Sequence, residues 1–444
     1  MPPILSDQLL NSLPPEGDLW VGFSGGLDSS VLLAALARLP LQGRLRAIHV
    51  HHGLSANADA WLAHCQRVCA GLQVPLVCER VTLTDTGDGI ENAAREARYQ
   101  AFARHLHKGD TLLLAHHADD QLETFFQRLL RGSGLTGLAA MAFERELQPG
   151  IRLLRPLLGW ERTQLEQLAH DWSLSWVNDE SNQDSRYERN WWRNQLLPQI
   201  AERFPGRKAS LLRSLSQLQQ DKQALALLLA PHIDACTQTL SWPLTRPLAL
   251  NVAALRSLPP ALLPYVVRGW LERCALPLPS AQWLTTLLNE VMAAGDDRQP
   301  QLMLGELSVR RFRDWLCLTE PVAMPAPVLM SDIALIADAG MKSDWAGAAL
   351  QWSAELSQSL PAGCRLLPAE QARGLTLRMC GRPAKGLKAL FQEAGVPVWL
   401  RPLWPVLVAD VNGAPTLLAV ANIGAGAGLN TAATAAHGPL LRWG

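Results

Sequence analysis

Short apolar segments alternate with helical stretches through the first half of the chain. The apolar segments predict β-strands at residues 19–23, 46–50, 74–79 and 111–115. The spacing of apolar positions between them predicts helices at residues 29–39, 58–70, 91–106 and 120–130. This alternation predicts an α/β fold, a doubly wound parallel sheet with helices on both faces. Such sheets bind ligands beyond the carboxyl ends of their strands, so polar residues at those ends are the site candidates.

The second half has a different pattern. A leucine-rich helix is predicted at 211–229, a mostly helical region at 230–320 with a hairpin over 307–318, and a proline-bearing linker at 321–327. A strand at 375–378 and a helix at 385–394 follow, and Asn412-Gly413 is a tight-turn signal between two further strands. We therefore expect three domains: 1–215 with the parallel sheet and a linker helix, 216–325 mostly helical, and 326–444 α+β.

Composition limits the class of protein. A chain of 444 residues is too long for one compact core. Lys+Arg and Asp+Glu both number 40, so only local charge clusters can indicate nucleic-acid binding. The eight cysteines include no CxxC pair, and the first residues lack the charge and apolar run of a secretion signal. We expect a reduced, cytoplasmic protein without a cysteine-built metal or redox site.

The first chemical motif is Ser24-Gly25-Gly26-Leu27-Asp28-Ser29-Ser30, which follows a predicted strand and opens a predicted helix. Glycines let backbone N–H groups approach an anion, and a helix amino terminus favours negative charge. Asp28 would repel a bare phosphate, which indicates a divalent cation between them. The loop lacks the Gly-Lys-Ser/Thr ending of a Walker A loop. The alternative is a helix that merely follows a glycine turn.

The second motif, His116-His117-Ala118-Asp119-Asp120-Gln121-Leu122-Glu123-Thr124, also follows a predicted strand. Histidines and carboxylates at a strand end can hold Mg²⁺ or position a substrate. The alternative is that the carboxylates only stabilise a helix amino terminus. We predict catalytic roles for Asp28, His116, Asp119 and Asp120, with Asp28 and Asp120 as metal ligands. A metal triad of His49, His51 and His52 is a weaker interpretation.

Three further segments carry arginines. Arg95 and Arg98 lie near Glu91 on a predicted helix, where a solvated face explains them as well as catalysis does. Residues 131–138, which begin at Arg131, predict a flexible glycine loop that could close over a substrate. Arg186, Arg189 and Arg193 surround Trp191 and Trp192, and this mixture suits splayed single-stranded bases. A packed helix with exposed arginines is the alternative.

Together the motifs resemble the tRNA(Ile)-lysidine synthetase family of PP-loop ATP pyrophosphatases. In the family's order they are SGGxDS, HVHHGL, ExxxRxxRY, HHADDQLET, RGSGLTGL, RPLL and NDESNQDSRYERN, with GLKALFQEAGVPVW near the end. The resemblance covers about 15–200 and 370–425, with a weakly matched middle. The last twenty residues are rich in alanine and glycine and depart from the family's closing strands.

The resemblance implies a PP-loop fold of the adenine nucleotide alpha-hydrolase type, which binds ATP and Mg²⁺ and releases pyrophosphate. AMP would be transferred to O2 of the wobble cytidine of an isoleucine tRNA with a CAU anticodon. Free L-lysine would then attack C2 and expel AMP, giving lysidine. The implied ATP-binding residues are Ser24, Gly25, Gly26, Leu27, Asp28, Ser29 and Ser30, with the Val50 backbone at the base. Arg131 is an implied catalytic residue.

Local basic clusters predict where tRNA binds despite the neutral total. Residues 186–213 carry seven cations and two acids, and residues 373–401 carry six cations and one acid. The predicted tRNA-binding residues are Arg186, Arg189, Arg193, Arg378, Arg382, Lys385 and Lys388. Either cluster could also be a solvated face.

Other functions remain open at this point. A tRNA thiolase of the same superfamily commonly carries sulfur on paired cysteines, and an amidotransferase-type synthetase needs a glutaminase unit; the sequence shows neither. A non-catalytic tRNA-binding protein is disfavoured by the intact Asp28, Asp119 and Asp120. A metal-dependent phosphohydrolase built on the His/Asp motif is the remaining alternative. The sequence leaves a homodimer open.

Overall fold

The computed structural model contains two compact units, Met1–Leu225 and Ala226–Gly444. It describes residues 7–41, 43–53, 55, 57–82, 90–178, 180, 188–294, 298–329, 343–352, 360–361, 363–427, 429 and 441–444. Within these ranges no helix is both long and apolar enough to cross a membrane.

The first unit is built on a six-stranded sheet. Its strands are β1 Leu19–Gly22, β2 Leu45–His51, β3 Leu76–Arg80, β4 Thr111–Leu113, β5 Glu144–Gln148 and β6 Ile151–Leu154. Their order is β3-β2-β1-β4-β6-β5, with all neighbours parallel except the edge strand β5. The predicted parallel sheet is confirmed. The strand predicted at 74–79 begins two residues later, at Leu76.

Helices cover both faces of this sheet. They are α1 Asp7–Ser12, α2 Leu27–Ala37, α3 Ala58–Gly71, α4 Ile90–His105, α5 Ala118–Leu130, α6 Leu135–Leu138, α7 Arg162–Asp171, α8 Glu188–Trp191, a π-helical turn Trp192–Leu196 and α9 Leu197–Arg203. Successive residues of β1 enter different cores: Leu19 and Val21 pack with residues of α2, α3 and α7, whereas Trp20 packs with Phe102 of α4. A strand buried on both faces reads as a continuous apolar run, which is why sequence predicted it.

The leucine-rich segment predicted at 211–229 forms a longer helix, α10 Arg207–Cys236, which crosses from the first unit into the second. The next elements are β7 Thr237–Thr239, β8 Leu248–Asn251, α11 Val252–Arg256, a 3-10 turn Pro260–Leu262, α12 Leu263–Arg273, α13 Ala281–Thr286, a π-helical turn Leu287–Val291, β9 Gln301–Leu304, β10 Leu307–Phe312 and β11 Trp315–Thr319. The helices and the β10–β11 hairpin are as predicted.

The structure adds a five-stranded sheet of order β7-β8-β11-β10-β9 to this middle region. Sequence predicted only its hairpin, because β7 and β8 are three and four residues long and too short for a period-2 pattern to stand out.

Among the residues that the structure describes, the C-terminal region contains small sheets and one α-helix. Its elements are β12 Val328–Leu329, β13 Ser343–Trp345, β14 Ala348–Trp352, β15 Arg365–Pro368, a 3-10 turn Ala369–Ala372, β16 Thr376–Leu377, β17 Lys385–Gly386, α14 Leu387–Glu393, a 3-10 turn Arg401–Leu403, β18 Pro405–Val411, β19 Ala414–Val420, β20 Gly424–Ala425 and β21 Leu441–Trp443. The strand orders are β12-β15-β18-β19-β20, β13-β14-β21 and β16-β17. Asn412 and Gly413 have φ of 53° and 79°, the left-handed values of a tight hairpin turn between β18 and β19.

The C-terminal predictions needed small corrections. The strand predicted at 375–378 is only Thr376–Leu377, and the helix predicted at 385–394 begins at Leu387, because Lys385 and Gly386 pair with that strand. Residues 320–327 contain neither helix nor strand, and their role as a linker stays a prediction. Most of the alanine- and glycine-rich end lies outside the described residues.

Candidate active site

The glycine loop turns sharply at the carboxyl end of β1. Gly25 has a φ of +82°, and a Cβ at this position would lie 2.8 Å from the Cys65 sulfur. Glycine is therefore required here both by backbone conformation and by space. Helix α2 starts immediately afterwards, with the hydroxyls of Ser24 and Ser29 3.1 Å apart. The loop therefore gathers hydroxyls and free helical N–H groups at one point, which is the arrangement that binds phosphate.

Asp28 stands in the first turn of α2 beside this cradle. Its Oδ1 atom is buried without a hydrogen-bond partner among the described residues, and burial raises the pKa of the carboxyl group above its usual value. Its Oδ2 atom lies 3.7 Å from His117 Nε2 and 3.6 Å from Arg162 Nη1. A buried carboxylate oxygen without a partner is costly unless a cation or a donor satisfies it.

His117 is the hub of the second motif. It caps α5. Its Nδ1 atom accepts the Asp119 backbone N–H at 3.2 Å, and the His117 backbone N–H donates to Asp120 Oδ2 at 2.9 Å. Its Nε2 atom lies 3.7 Å from a carboxylate oxygen of both Asp28 and Asp120. Burial opposes protonation, but the Asp119, Asp120 and Asp28 carboxylates together raise the pKa of His117. The catalytic histidine predicted from sequence is the neighbouring His116.

His116 has a different environment. Burial lowers its pKa to about 3. The nearby cations Arg155, Arg98 and Arg189 also lower it, whereas the Asp120 charge opposes the shift. Its Nδ1 atom has no hydrogen-bond partner among the described residues. His116 is therefore neutral at physiological pH, and its predicted catalytic role stays a prediction.

The two adjacent carboxylates, which sequence could not rank, are separated by the structure. Asp119 accepts the Arg162 backbone N–H at 2.9 Å and pairs with Lys208 Nζ at 2.5 Å, and Lys208 also lies 2.9 Å from Glu161. Although burial opposes it, the adjacent His117 ring and the hydrogen bonds from Lys208 and the Arg162 backbone N–H keep the pKa of Asp119 below its usual value. Its two oxygens are occupied, so its geometry suits positioning of the His117 loop and of α10.

Asp120 belongs to a buried ion network with Glu123. Its Oδ1 atom accepts from Arg189 at 2.6 Å and from Arg193 at 2.8 Å. The same two guanidinium groups bind Glu123, whose side chain is 1% exposed. Burial would raise the pKa of Asp120, but Arg189 and the neighbouring histidines and Arg193 hold it below its usual value.

Arg189 and Arg193 were predicted to bind tRNA, and the structure gives them carboxylate partners at the sheet edge instead of leaving them free. They lie on α8 and the π-helical turn, which pack on α5 through the stacked Phe126 and Trp192 rings. Their contact with tRNA stays a prediction. Arg186 lies outside the described residues.

Residues 131–138 contain a short helix, whereas sequence predicted only a glycine loop. Gly132, with φ +69°, ends α5, and residues 135–138 form the short helix α6. The Arg128 side chain donates to the carbonyls of Gly137 and Ala140, which explains why this turn closes. Arg131 is exposed and pairs with Glu188 at 2.8 Å, and its predicted catalytic role is untested.

The histidines of β2 show no metal-binding arrangement. His49 bonds the Phe23 carbonyl at 2.9 Å, and His51 lies 3.3 Å from Asp59. Within the part of the chain that the structure describes, no three His, Cys, Asp or Glu residues form a metal-binding group. Val50 is half-buried on β2, next to β1, and its contact with the ATP base stays a prediction.

Four side chains of this site were missed by sequence reasoning: His117, Glu123, Arg162 and Lys208. Glu123 is three residues after Asp120 on a helix, a spacing that places both on one face and could have been used. Arg162 and Lys208 lie on α7 and α10, and the sequence around them does not indicate that they contact the motifs. The predicted C-terminal cations Arg378, Arg382 and Lys388 are exposed, whereas Lys385 pairs with Glu393.

Three parts of the chain match models of known protein domains. Residues 5–200 match the model of a PP-loop domain, residues 250–317 a TilS substrate binding domain and residues 370–443 a TilS substrate C-terminal domain. Each match falls inside one of the three domains expected from sequence, whose boundaries stay predictions.

The chain also resembles individual known proteins. The chain is 39% identical to the tRNA(Ile)-lysidine synthase of Serratia proteamaculans, covering 91% of this chain and 92% of the relative. It is 38% identical to that of Shigella flexneri, covering 94% of both. The solved structure of the U34-tRNA thiolase NcsA from Methanococcus maripaludis is 16% identical over 49% of this chain and 76% of that chain, with a TM-score of 0.39, too low to support an argument. On the sequence matches, this chain belongs to the tRNA(Ile)-lysidine synthase family.

Proposed function

We propose that this protein ligates free lysine to C2 of the wobble cytidine of an isoleucine tRNA with a CAU anticodon, converting ATP to AMP and pyrophosphate. Family membership supports the reaction, and the site supports the ATP-dependent half of it. The observation that carries the proposal is Asp28. Its buried, partnerless oxygen stands at the phosphate cradle, where the charge of a leaving pyrophosphate would have to be stabilised.

The chemistry explains why ATP is needed. Cytosine O2 is a poor leaving group, so an amine cannot displace it directly. Attack of O2 on the α-phosphorus of ATP forms a phosphate ester and releases pyrophosphate, and lysine attack at C2 then releases AMP. The glycine loop supplies N–H groups and hydroxyls to the phosphates, and the Arg162 guanidinium, 3.6 Å from Asp28, adds a positive charge there.

The site fits a divalent cation at Asp28. The unsatisfied Oδ1 atom is the kind of hard oxygen ligand that Mg²⁺ prefers, and a bound ion would neutralise charge on the phosphates. Asp120 fits less directly, because its carboxylate is already engaged by Arg189, Arg193 and the His117 N–H. Asp28 is therefore the primary ligand in this proposal, and Asp120 can join it only after release from its arginines.

The second substrate, free lysine, carries two ammonium groups and one carboxylate. Its site must therefore supply negative charge. The target cytidine lies in a single-stranded loop and can be presented without melting a duplex. ATP, lysine and tRNA are all cytoplasmic, and we place the protein there.

One experiment tests the proposal. The protein is incubated with ATP, labelled lysine and unmodified isoleucine tRNA; label in the tRNA, with one AMP formed per lysine incorporated, is expected. A transcript whose wobble cytidine is replaced by uridine serves as the control and should remain unlabelled. Inorganic phosphate released without any need for lysine would point to a phosphohydrolase and contradict the proposal.

A further inference from the structure

Tyr99 on α4 is surrounded by three guanidinium groups. The Arg95 and Arg145 carbons Cζ lie 5.6 and 5.3 Å from the centre of its ring. Although burial would raise it, the nearby guanidinium groups of Arg155, Arg95 and Arg145 lower the pKa of the Tyr99 hydroxyl. These residues come from α4, from β5 and from the position directly after β6, so tertiary structure assembles the group.

Among the residues that the structure describes, none of these three arginines forms an ion pair with a carboxylate. Arg155 is only 3% exposed, and its Nε atom is buried without a hydrogen-bond partner in the same described part of the chain. Cations this close repel one another, and a buried one is costly without an anion. The cluster therefore has the composition of an anion-binding site.

A cavity of about 440 Å³ opens beside the cluster. This lies within the roughly 300–1,000 Å³ of ordinary ligand pockets. Its lining residues are Arg95, Glu96, Tyr99, Gln100, Ala103, Arg145, Leu147 and Gln148, and we call it the Tyr99 pocket.

The Tyr99 pocket runs between α4 and the edge strand β5, away from the ATP cradle, and its Arg145 end lies toward the carboxyl ends of the strands. Arg145 pairs with Leu153, next to the last residue of β6, so it stands near the carboxyl end of that strand. Strand β5 is three positions from β1 in the sheet, roughly 14 Å at the usual strand spacing. The pocket is therefore within reach of an extended substrate whose reacting atom lies at the cradle.

We infer that the Tyr99 pocket binds a phosphodiester of the single-stranded RNA that flanks the reacting base. This rests on the proposed function. Free lysine has a net positive charge, which disfavours a pocket lined by two arginines and one glutamate, with the buried Arg155 beside it. The phosphates of ATP already have a binding site in the glycine loop, which follows a different strand, β1. Arginines stacked on an aromatic ring are typical of single-stranded RNA sites.

Direct binding of RNA tests this inference without requiring turnover. The double variant Arg95→Gln/Arg145→Gln is compared with the wild type for binding of an anticodon stem-loop RNA in a salt titration. The variant should bind at least about tenfold more weakly, the loss of one charge-assisted contact. The slope of log affinity against log salt should decrease by about 0.7, the value for one single-strand phosphate contact.

The controls separate a lost contact from a lost fold. Arg67→Gln neutralises an exposed arginine on α3 and should bind like the wild type. Arg145→Lys retains the charge and should retain the wild-type salt slope. Both arginines of the double variant line an open pocket, so its melting temperature should be within a few degrees of the wild type.

Steady-state kinetics distinguish the remaining outcomes. The double variant should raise the KM for tRNA, with the KM values for ATP and lysine unchanged. If the KM for lysine or ATP rises instead, the pocket holds a free carboxylate or triphosphate and the inference is wrong. Unchanged stem-loop binding also overturns it. If the wild type binds the stem-loop through this pocket but never incorporates lysine, the proposed function is wrong, whereas the inference that the pocket binds RNA is retained.

Discussion

In the proposed function, one buried oxygen of Asp28 marks where the cation and the phosphates bind. One of its carboxylate oxygens has no partner among the described residues, while the other faces His117 and Arg162. An unpartnered buried charge lowers the stability of a fold, so its presence at a phosphate cradle indicates that a ligand completes it.

Asp28→Asn should abolish transfer of AMP to tRNA while leaving the fold intact. The amide has nearly the same shape but lacks the charge that holds a cation, and loss of one electrostatic group at such a site costs about 100-fold or more in rate. Labelled AMP transfer measures the effect, and circular dichroism checks the fold. Asp59→Asn, in the first turn of α3, is the matched control and should keep full activity. Normal lysine incorporation by the Asp28 variant would refute this assignment.

His116 predicts a pH dependence of stability. Burial lowers its pKa to about 3, whereas in the unfolded chain it titrates near 6.5. Between these values the unfolded chain binds a proton that the folded chain does not, so stability falls as the pH decreases below about 6.5. His116→Gln removes this contribution, and its stability should fall less steeply, by up to about 1.4 kcal/mol per pH unit.

Urea unfolding at pH 7, 6 and 5 measures this difference. The exposed His107→Gln variant should retain the wild-type slope. Parallel slopes for the wild type and the His116 variant would show that His116 is protonated as easily in the folded protein as in the unfolded chain.

At the scale of elements, the ion network joins α8 and its π-helical turn to α5. Arg189 and Arg193 each bridge Asp120 and Glu123, and both carboxylates are buried. Buried ion pairs contribute little net stability while intact, but removing one partner leaves an uncompensated charge. This network therefore fixes the position of α8 more than it adds stability.

Arg193→Met should lower the free energy of unfolding by about 3–5 kcal/mol, because Glu123 would lose a guanidinium partner inside the protein. Urea unfolding measures the change. The exposed Arg203→Met, on α9, is the matched control and should change stability by less than about 0.5 kcal/mol. In the double variant Arg193→Met/Glu123→Leu much of the loss should be recovered. Additive losses would show that the two residues do not act as a pair.

At the scale of the whole molecule, equal numbers of acids and bases conceal an uneven distribution. Exposed Arg378, Arg382 and Lys388 lie in the second compact unit, whereas the glycine loop and the His117 hub lie in the first. We predict that these cations bind tRNA without contacting the reacting atoms, so that they act as uniform binding energy.

Neutralising Arg378, Arg382, Lys385 and Lys388 together should raise the KM for tRNA. Each lost phosphate contact should reduce the salt slope by about one unit. The single-turnover rate at saturating tRNA should change little, because uniform binding does not alter the chemical barrier. Lys222→Gln, an exposed change on α10, serves as the control. A collapsed single-turnover rate with normal affinity would place the segment in the active site.

The sequence by itself determined the parallel sheet, the glycine loop and the position of α5, because each depends on neighbouring residues. The apolar run of β1 marks a strand buried on both faces, and the Gly25 turn requires a left-handed φ that its local sequence already supplies. Asn412-Gly413 marked its hairpin in the same way. Local rules of this kind do not need the rest of the fold.

Only tertiary structure decided which side chains meet. Arg162, Lys208 and Arg193 come from three separate helical segments to carboxylates in the first turns of α2 and α5. Arg145 reaches Tyr99 from an edge strand. Their charge gave no signal of this, since a solvated arginine and a buried one look alike in sequence. The environments that distinguish Asp119 from Asp120, and His116 from His117, come from burial and hydrogen bonds. These depend on long-range packing, which spacing along the chain does not encode.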